Sequence, residues 1–403
     1  MDGKKMVNLN SPALPKNQQG DQKKNIVTIK KNVILGHVSD STGCGHIRCI
    51  FPFTYLNSVF GRNQKLIPIV APLFQRQHDI LVRTKSILFQ RQMTPFHKQM
   101  ISEYKNIQAN YKFKMIYDMD DLIWGLNENQ GGSKMDGIPS YNFASDVIGD
   151  EIRKTTLEIM SMMDVITTST EYLANKIRSL MNIPVPVEVV YNSVPIYLYG
   201  NIKRRVAHKK IEKPRIMYAG SPTHYSNPKK MRGDMDNAFC DYIIKHVKDG
   251  SIEFSCMGGL PWFFEEIKDK ISVVEWINSY QYPCKMRELE PDFVFMPLIP
   301  NEFNYCKSDI KYIESCAIGA IGVGTYFTNG KPSPYDNNIV KLPDNCSIKD
   351  IEEMIDKYTE PDLYKKTLDE QYKMLVDTSR YLESPGYINM LTNIYCKNNL
   401  TRS

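Results

Sequence analysis

The sequence predicts an α/β protein made of two doubly wound, Rossmann-like domains that face each other across a cleft. Three observations predict it. Short apolar strands alternate with helical stretches in two separate series, the pattern of parallel sheets covered on both faces. A basic stretch with little apolar period, YLYGNIKRRVAHKKIEKP at 197–214, parts the two series. Each series opens with a strand running into a glycine-bearing turn, the edge at which open α/β sheets carry their ligands.

A chain of 403 residues is too long for one ordinary core and fits two. With 42% hydrophobic and 24% charged residues, disorder of the whole chain is excluded. No run approaches the roughly eighteen apolar residues of a membrane span, and MDGKKMVNLNSPALPKNQQGDQKKN at the start has no apolar signal core, so the expectation is a cytoplasmic protein. Nine cysteines, of which Cys44 and Cys49 are the nearest pair, fit reduced core thiols better than a disulfide frame or a zinc site. The net charge of +6 permits a polyanionic or membrane-surface partner without demanding one.

Residues 1–31 are polar and lysine-bearing, without hydrophobic period, and read as a flexible basic tail that either solubilises the chain or touches nucleic acid. The first domain is expected over 32–200. It starts with the strand NVILGHV at 32–38, followed by SDSTGCGH at 39–46 and the helical spacing of Ile47, Ile50, Phe51 and Tyr55. Gly43 and Gly45 would let backbone approach a phosphate, with His46 and Arg48 at the mouth, although the turn lacks the third glycine of a dinucleotide fingerprint. The strand SILFQ at 86–90 leads to Arg91, and the strand KMIY at 114–117 leads to Asp118, Asp120 and Asp121. Three carboxylates at the end of a buried strand repel one another and resist burial, so the cluster is expected to face a cleft, a cation or a polyhydroxylated ligand. A glycine-rich loop at 130–137, a helix at 148–163, the strand at 164–168 and a helix capped by Ser169 or Thr170 complete this half, with VEVVY at 187–191 as its last strand.

A linker is expected at 201–213 and the second domain at 214–385, with strands at 215–219, 252–257, 273–276, 293–296 and 321–323. Gly220 and Ser221 follow the first of these, and Gly258-Gly259 follow the second. The stretch DFVFMPLIPNEFNYCKSDIKYIESCAIGAIGVGT at 292–325 reads as strand, polar loop, helix from about Lys307, and strand. Asn304, Lys307 and Ser308 would open that helix, where free N–H groups and the positive dipole end favour an anion. Glu314, two turns on, suits a pair of vicinal hydroxyls, so the two ends together fit a nucleotide-sugar. A plain helix with a solvated lysine and glutamate fits the same spacing. The last helical stretch, 386–403, could pack back on the first domain.

FQRQ at 89–92, IYDMDDLIW at 116–124, DVITTSTEYL at 164–173, MYAGSPTHY at 217–225 and FNYCKSDIKYIESCAIGA at 303–320 together resemble retaining GT-B glycosyltransferases of the family-four type, in that family's order. The resemblance implies a nucleoside-diphosphate sugar as donor. Gly220, Ser221, Asn304, Lys307 and Ser308 would lie at its diphosphate, and Glu314 at its ribose. Gly45 would lie near the phosphate from the other side. It further implies an acceptor held by the first domain, with Asp120 and Asp121 near the sugar and His46, Arg48, Arg91 and Asp118 beside it. It implies no cofactor and no bound metal, because Lys307 and the helix dipole would neutralise the departing diphosphate. Two departures stand out: Cys306 occupies the position of the first of two family glutamates, and the aspartates at 118–121 stand where many relatives carry a histidine.

The acceptor stays open at this level. Basic segments at 203–213 and 229–232 could track DNA, and the richness in Asn, Lys, Tyr and Met is similar to that of large-phage proteins, which suggests a transferase acting on hydroxymethylated bases. The same segments could rest on anionic lipid during surface-polysaccharide synthesis. A non-catalytic nucleotide-sugar-binding protein is the alternative from another class.

Overall fold

The computed structural model describes residues 30–40, 42–73, 76–125, 146–181, 184–200, 209–221, 224–225, 232–235 and 238–397. The expected tail up to residue 29, the glycine-rich loop at 130–137 and the basic residues at 203–208 and 229–231 lie outside the described residues.

Among the described residues, twelve strands form two parallel sheets. In the first, β1 (Val33–His37), β2 (Ile67–Val70), β3 (Thr84–Gln90), β4 (Lys114–Met119), β5 (Val165–Thr168) and β6 (Val187–Val189) lie in the order β2-β1-β3-β4-β5-β6. In the second, β7 (Arg215–Ala219), β8 (Glu253–Met257), β9 (Ser272–Val274), β10 (Phe293–Met296), β11 (Ile321–Tyr326) and β12 (Val340–Pro343) lie in the order β12-β11-β10-β7-β8-β9. Strand order therefore reverses direction between β1 and β3 and between β7 and β10, and a crevice opens beyond the carboxyl ends of the strands at such switch points.

The strands read as apolar runs because both faces are covered. Successive side chains point to opposite faces: Ile216, Tyr218, Phe293 and Phe295 join one apolar cluster, while Met217, Ala219, Val294 and Met296 join another. The first sheet does the same, with Leu35, Ile87 and Tyr117 on one side and Ile34, Leu88 and Ile116 on the other. The helix Pro385–Cys396 completes that second cluster with Tyr387, Leu391 and Tyr395, so the chain returns to the first sheet at its end. Its Ile394 carbonyl accepts a hydrogen bond from Lys114 Nζ at 2.9 Å.

Local chemistry sets the ends of the helices. Thr94 and His97 form a capping box on Pro95–Tyr111, and Thr170, rather than Ser169, caps Glu171–Leu180 through Leu173 N–H. The helix expected from about Lys307 starts later. Asn301 caps a separate short helix, Glu302–Tyr305, by accepting from Asn304 N–H at 2.9 Å. Cys306–Asp309 then form a link, and the main helix runs Ile310–Ile318. Among the described residues no helix is long and apolar enough to cross a membrane.

Candidate functional site

A cavity of about 330 Å³ opens between the carboxyl ends of the two sheets, lined from both of them. Its first-sheet wall starts after β1. Asp40 Oδ1 accepts from Thr42 N–H at 2.9 Å, Thr42 Oγ1 at 2.6 Å and Gly45 N–H at 3.3 Å, and this turn launches four continuous helical segments from Gly43 to Gly61. A Cβ on residue 45 would stand 2.0 Å from the Asp40 carbonyl oxygen. Gly45 therefore serves the turn, with its N–H already engaged. Gly43, with open space around it, is the glycine that faces the cavity. His46 also lines it and bonds Thr42 O through Nδ1 at 2.9 Å.

Arg48 and Asp118 correct the sequence reading. The helix turns Arg48 inward, where its Nε and Nη2 meet the two Asp118 oxygens at 3.0 and 2.5 Å. Val190 O and Asn192 Oδ1 accept from its Nη1, and Thr167 Oγ1 donates to Asp118 at 2.6 Å. Both residues are buried behind the wall and neither lines the cavity. Asp120 and Asp121 do line it, together with Arg91. Arg91 adopts φ 51, a left-handed conformation uncommon outside glycine, and donates its N–H to Asp118 O at 2.9 Å. Burial pushes the Asp120 carboxyl up to about 6; Arg91 opposes that rise and Asp121 adds to it. Among the described residues, Cys44, Asp120 and Asp121 place one ligand atom each within 4.8 Å of one another, the only grouping suited to a metal ion. The Arg91 guanidinium beside them works against a cation there.

The second-sheet wall stacks two glycine turns. Gly220 N–H bonds Met257 O, and Gly258, at φ +99, passes so close that a Cβ would lie 2.5 Å from Gly220 O. Only glycine fits that approach. Gly220 and Ser221 line the cavity beside His224, whose Nδ1 pairs with Asp234 Oδ2 at 2.6 Å. Burial, then repulsion from Lys311 and Lys307, lowers His224 to about 4, so the ring is neutral at physiological pH. Asn304 is another correction. It is fully buried, donates to Asp234 Oδ1 at 2.7 Å and to Ile299 O at 2.9 Å, and so supports the histidine from behind.

Lys307, Ser308, Lys311 and Glu314 line the cavity together. The link bearing Lys307 is held from the first domain: Thr170 Oγ1 donates to Cys306 O at 3.1 Å and Asn192 Nδ2 to Ser308 Oγ at 2.7 Å. Arg380 Nη1 reaches Asp309 Oδ2 at 3.2 Å from the returning C-terminal segment. The Cys306 side chain is fully buried within the first sheet's apolar cluster, a place that would strand a glutamate without solvent. Lys311 falls to about 8 through burial and then through Lys307. Glu314 rises to about 7 through burial, offset in part by Lys311 and by hydrogen bonds from Tyr282, at 3.3 Å, and Tyr199.

Sequence reasoning missed Lys311, Tyr199, Tyr282 and the site role of His224. Lys311 could have been found, since it stands one turn after Lys307 and one before Glu314. The tyrosines reach Glu314 from distant segments, and no local pattern marks them. Trp276 and Glu275, after β9, complete the far wall.

No protein-family model matches the chain, and no curated protein matches its sequence. Solved structures do match its shape. A glycosyltransferase from Rickettsia africae aligns with TM-score 0.56 and 12% identity over 91% of this chain and 98% of its own. HepE from Anabaena, solved with UDP and glucose, aligns at 0.55 and 8% over 90% and 99%. Sucrose-phosphate synthase from Thermosynechococcus elongatus aligns at 0.56 and 9% over 91% and 98%. At such identities the likeness concerns architecture: two facing doubly wound domains in the GT-B arrangement.

Proposed function

We propose that the protein is a glycosyltransferase that moves one sugar from a nucleoside-diphosphate sugar to an acceptor hydroxyl, with retained anomeric configuration and without a metal at the leaving group. The observation that carries this reading is the shared cavity: Lys307 on the link, then Lys311 and the buried Glu314 on the helix it leads into, line it opposite the aspartates of the other sheet. Lys307 and Lys311, beside the Gly220 turn, would hold the diphosphate, and Glu314 would accept hydrogen bonds from the ribose diol. Lysines 307 and 311 would supply the positive charge that offsets the departing diphosphate. In the reaction the bond from the anomeric carbon to the phosphate oxygen breaks and the bond to the acceptor oxygen forms on the same face. The acceptor's proton passes to the departing diphosphate, while Asp120 or Asp121 orients the hydroxyl. The structures of HepE solved with UDP and with UDP-glucose make uridine donors the first to try.

The test is a thermal-shift titration with UDP-glucose and other nucleotide-sugars, since a ligand bound to the folded state raises its stability by mass action. A shift for wild type that Glu314→Gln reduces is the expected result. No shift with any nucleotide-sugar would sink the reading. Release of free sugar from the donor without acceptor separates an enzyme from a binding module, and the anomeric proton coupling of the product decides retention.

Donor affinity should depend on pH on two sides. Raising the pH through about 7 ionises Glu314, the form that accepts the ribose hydroxyls, and affinity should rise. Passing about 8 discharges Lys311, and affinity should fall. Isothermal titration with UDP across this range should give a maximum between the two values, with the acid limb missing in Glu314→Gln. A flat profile in the wild type would contradict the assignment of both groups.

The basic segments that suggested DNA carry little of this reading. In their described part Lys210 meets Asp356 at 2.5 Å and Glu360 at 2.9 Å, and Arg232 meets Asp241 at 2.6 Å.

A further inference from the structure

At the first-sheet end of the cavity, three acids gather round one arginine. Asp120 and Asp121 line the wall with Arg91, and Asp40 stands near enough to act on the Arg91 charge. The fourth acid of the region, Asp118, is already matched by Arg48. Arg91 comes within 3.7 Å of Asp120 Oδ1, an ion pair too long for a hydrogen bond. Asp120 is only 6% exposed, yet its Oδ1 has no hydrogen-bond partner, and neither has Arg91 Nε. Buried polar atoms are normally satisfied, so an unpaired acceptor and an unpaired donor on two residues that line the cavity mark a polar site that the protein alone leaves incomplete.

A hydroxyl can both donate to a carboxylate and accept from a guanidinium. A phosphate ester carries no donor for Asp120 or Asp121, and its charge would meet acids that outnumber the arginine three to one. The lysines that could offset that charge belong to the other wall of the cavity, where the donor's own diphosphate would occupy them. Resting on the glycosyltransferase reading, we propose that this end of the cavity takes an uncharged polyhydroxylated acceptor, such as a sugar ring, and rejects phosphorylated ones.

The experiment measures UDP release from UDP-glucose with a panel of matched acceptors. It pairs methyl glucoside with glucose 6-phosphate and myo-inositol with inositol phosphate, and adds duplex DNA carrying 5-hydroxymethylcytosine. The expected result is transfer to an uncharged member, with its phosphorylated counterpart lower in kcat/KM by about tenfold or more. The half-buried Asp121 gives the graded control: Asp121→Asn and then Asp121→Lys should raise the phosphorylated-to-uncharged ratio stepwise. Preference for a phosphorylated member or for DNA overturns the proposal. So does a ratio that ignores both substitutions, or transfer to no member by a protein that binds and hydrolyses UDP-glucose. Absence of a thermal shift with UDP-glucose and with every other nucleotide-sugar would instead strike the donor reading, so the two failures are told apart.

Discussion

Lys307→Ala should lower kcat by about 10²–10³-fold, the usual loss when one preorganised donor to a developing oxyanion is removed. The melting temperature of the free protein should stay where it is. The two expectations follow from the same geometry. Lys307 sits on the link between two helices, partly exposed at the cavity, with its ammonium 4.4 Å from the Phe303 ring centre. It supports no core packing, so its loss leaves the fold intact. In the proposed reaction the charge it offers matters most when the diphosphate departs, so kcat should fall more than KM rises. Lys311→Met is the informative companion. Lys311 is pulled down to about 8 by burial and by Lys307, so removing Lys307 should raise the pKa of Lys311 and let it carry more of the charge. The double variant should therefore fall further than Lys307→Ala alone at the upper end of the pH range. Steady-state kinetics on the four proteins checks this, and a Lys307→Ala enzyme with wild-type turnover would remove the lysine from the mechanism.

Much of the architecture can be read in the sequence because parallel strands buried on both faces leave unmistakable runs. FVFM at 293–296 and RIMYA at 215–219 are strands in the structure at the same residues. The glycine turns after β7 and β8 were equally legible, since close backbone approach there admits nothing larger. What escaped depends on partners far along the chain. Arg48 stands three residues past Gly45 and looks like a residue of the mouth. Its direction is set by Asp118, seventy positions away, and by a wider helical turn over His46–Ile50. Asn304 reads as a phosphate ligand when the helix is taken as continuous with it. Asn301 ends that continuity by capping its own short helix, and Asn304 is left facing Asp234. Cys306, where the resemblance leads one to expect a glutamate, is explained by the apolar cluster of the opposite domain into which it plugs. Lys307 and Glu314 were legible because both are on one local stretch and both carry charge toward the same space.

Arg48→Met should destabilise the protein by about 3–5 kcal/mol, the range for breaking a buried pair by removing one partner. The cost arises on the Asp118 side. Its carboxylate, with the side chain 4% exposed, would keep Thr167 as a partner and lose both guanidinium bonds. Replacing both residues, as in Arg48→Met with Asp118→Leu, should recover a large part of the loss, because the uncompensated charge leaves with its partner. Recovery should stop short of wild type, since Val190 O and Asn192 Oδ1 lose their donor in either case. Chemical denaturation of Arg48→Met, Asp118→Leu and the double variant checks the cycle, and additive losses would show that the pair is not coupled. The same variants also probe the active end of the molecule. Asn192 takes a hydrogen bond from Arg48 at 2.9 Å, gives one to Ser308 Oγ at 2.7 Å, and has its carbonyl held by Arg380 Nε at 2.7 Å. The ion pair thus props the residue that clasps the link bearing Lys307. Even the stabilised double variant should turn over more slowly than wild type, and Asn192→Ala should reproduce that deficit with a far smaller loss of stability. Full activity in a folded double variant would break the connection between the buried pair and the lysine it holds in place.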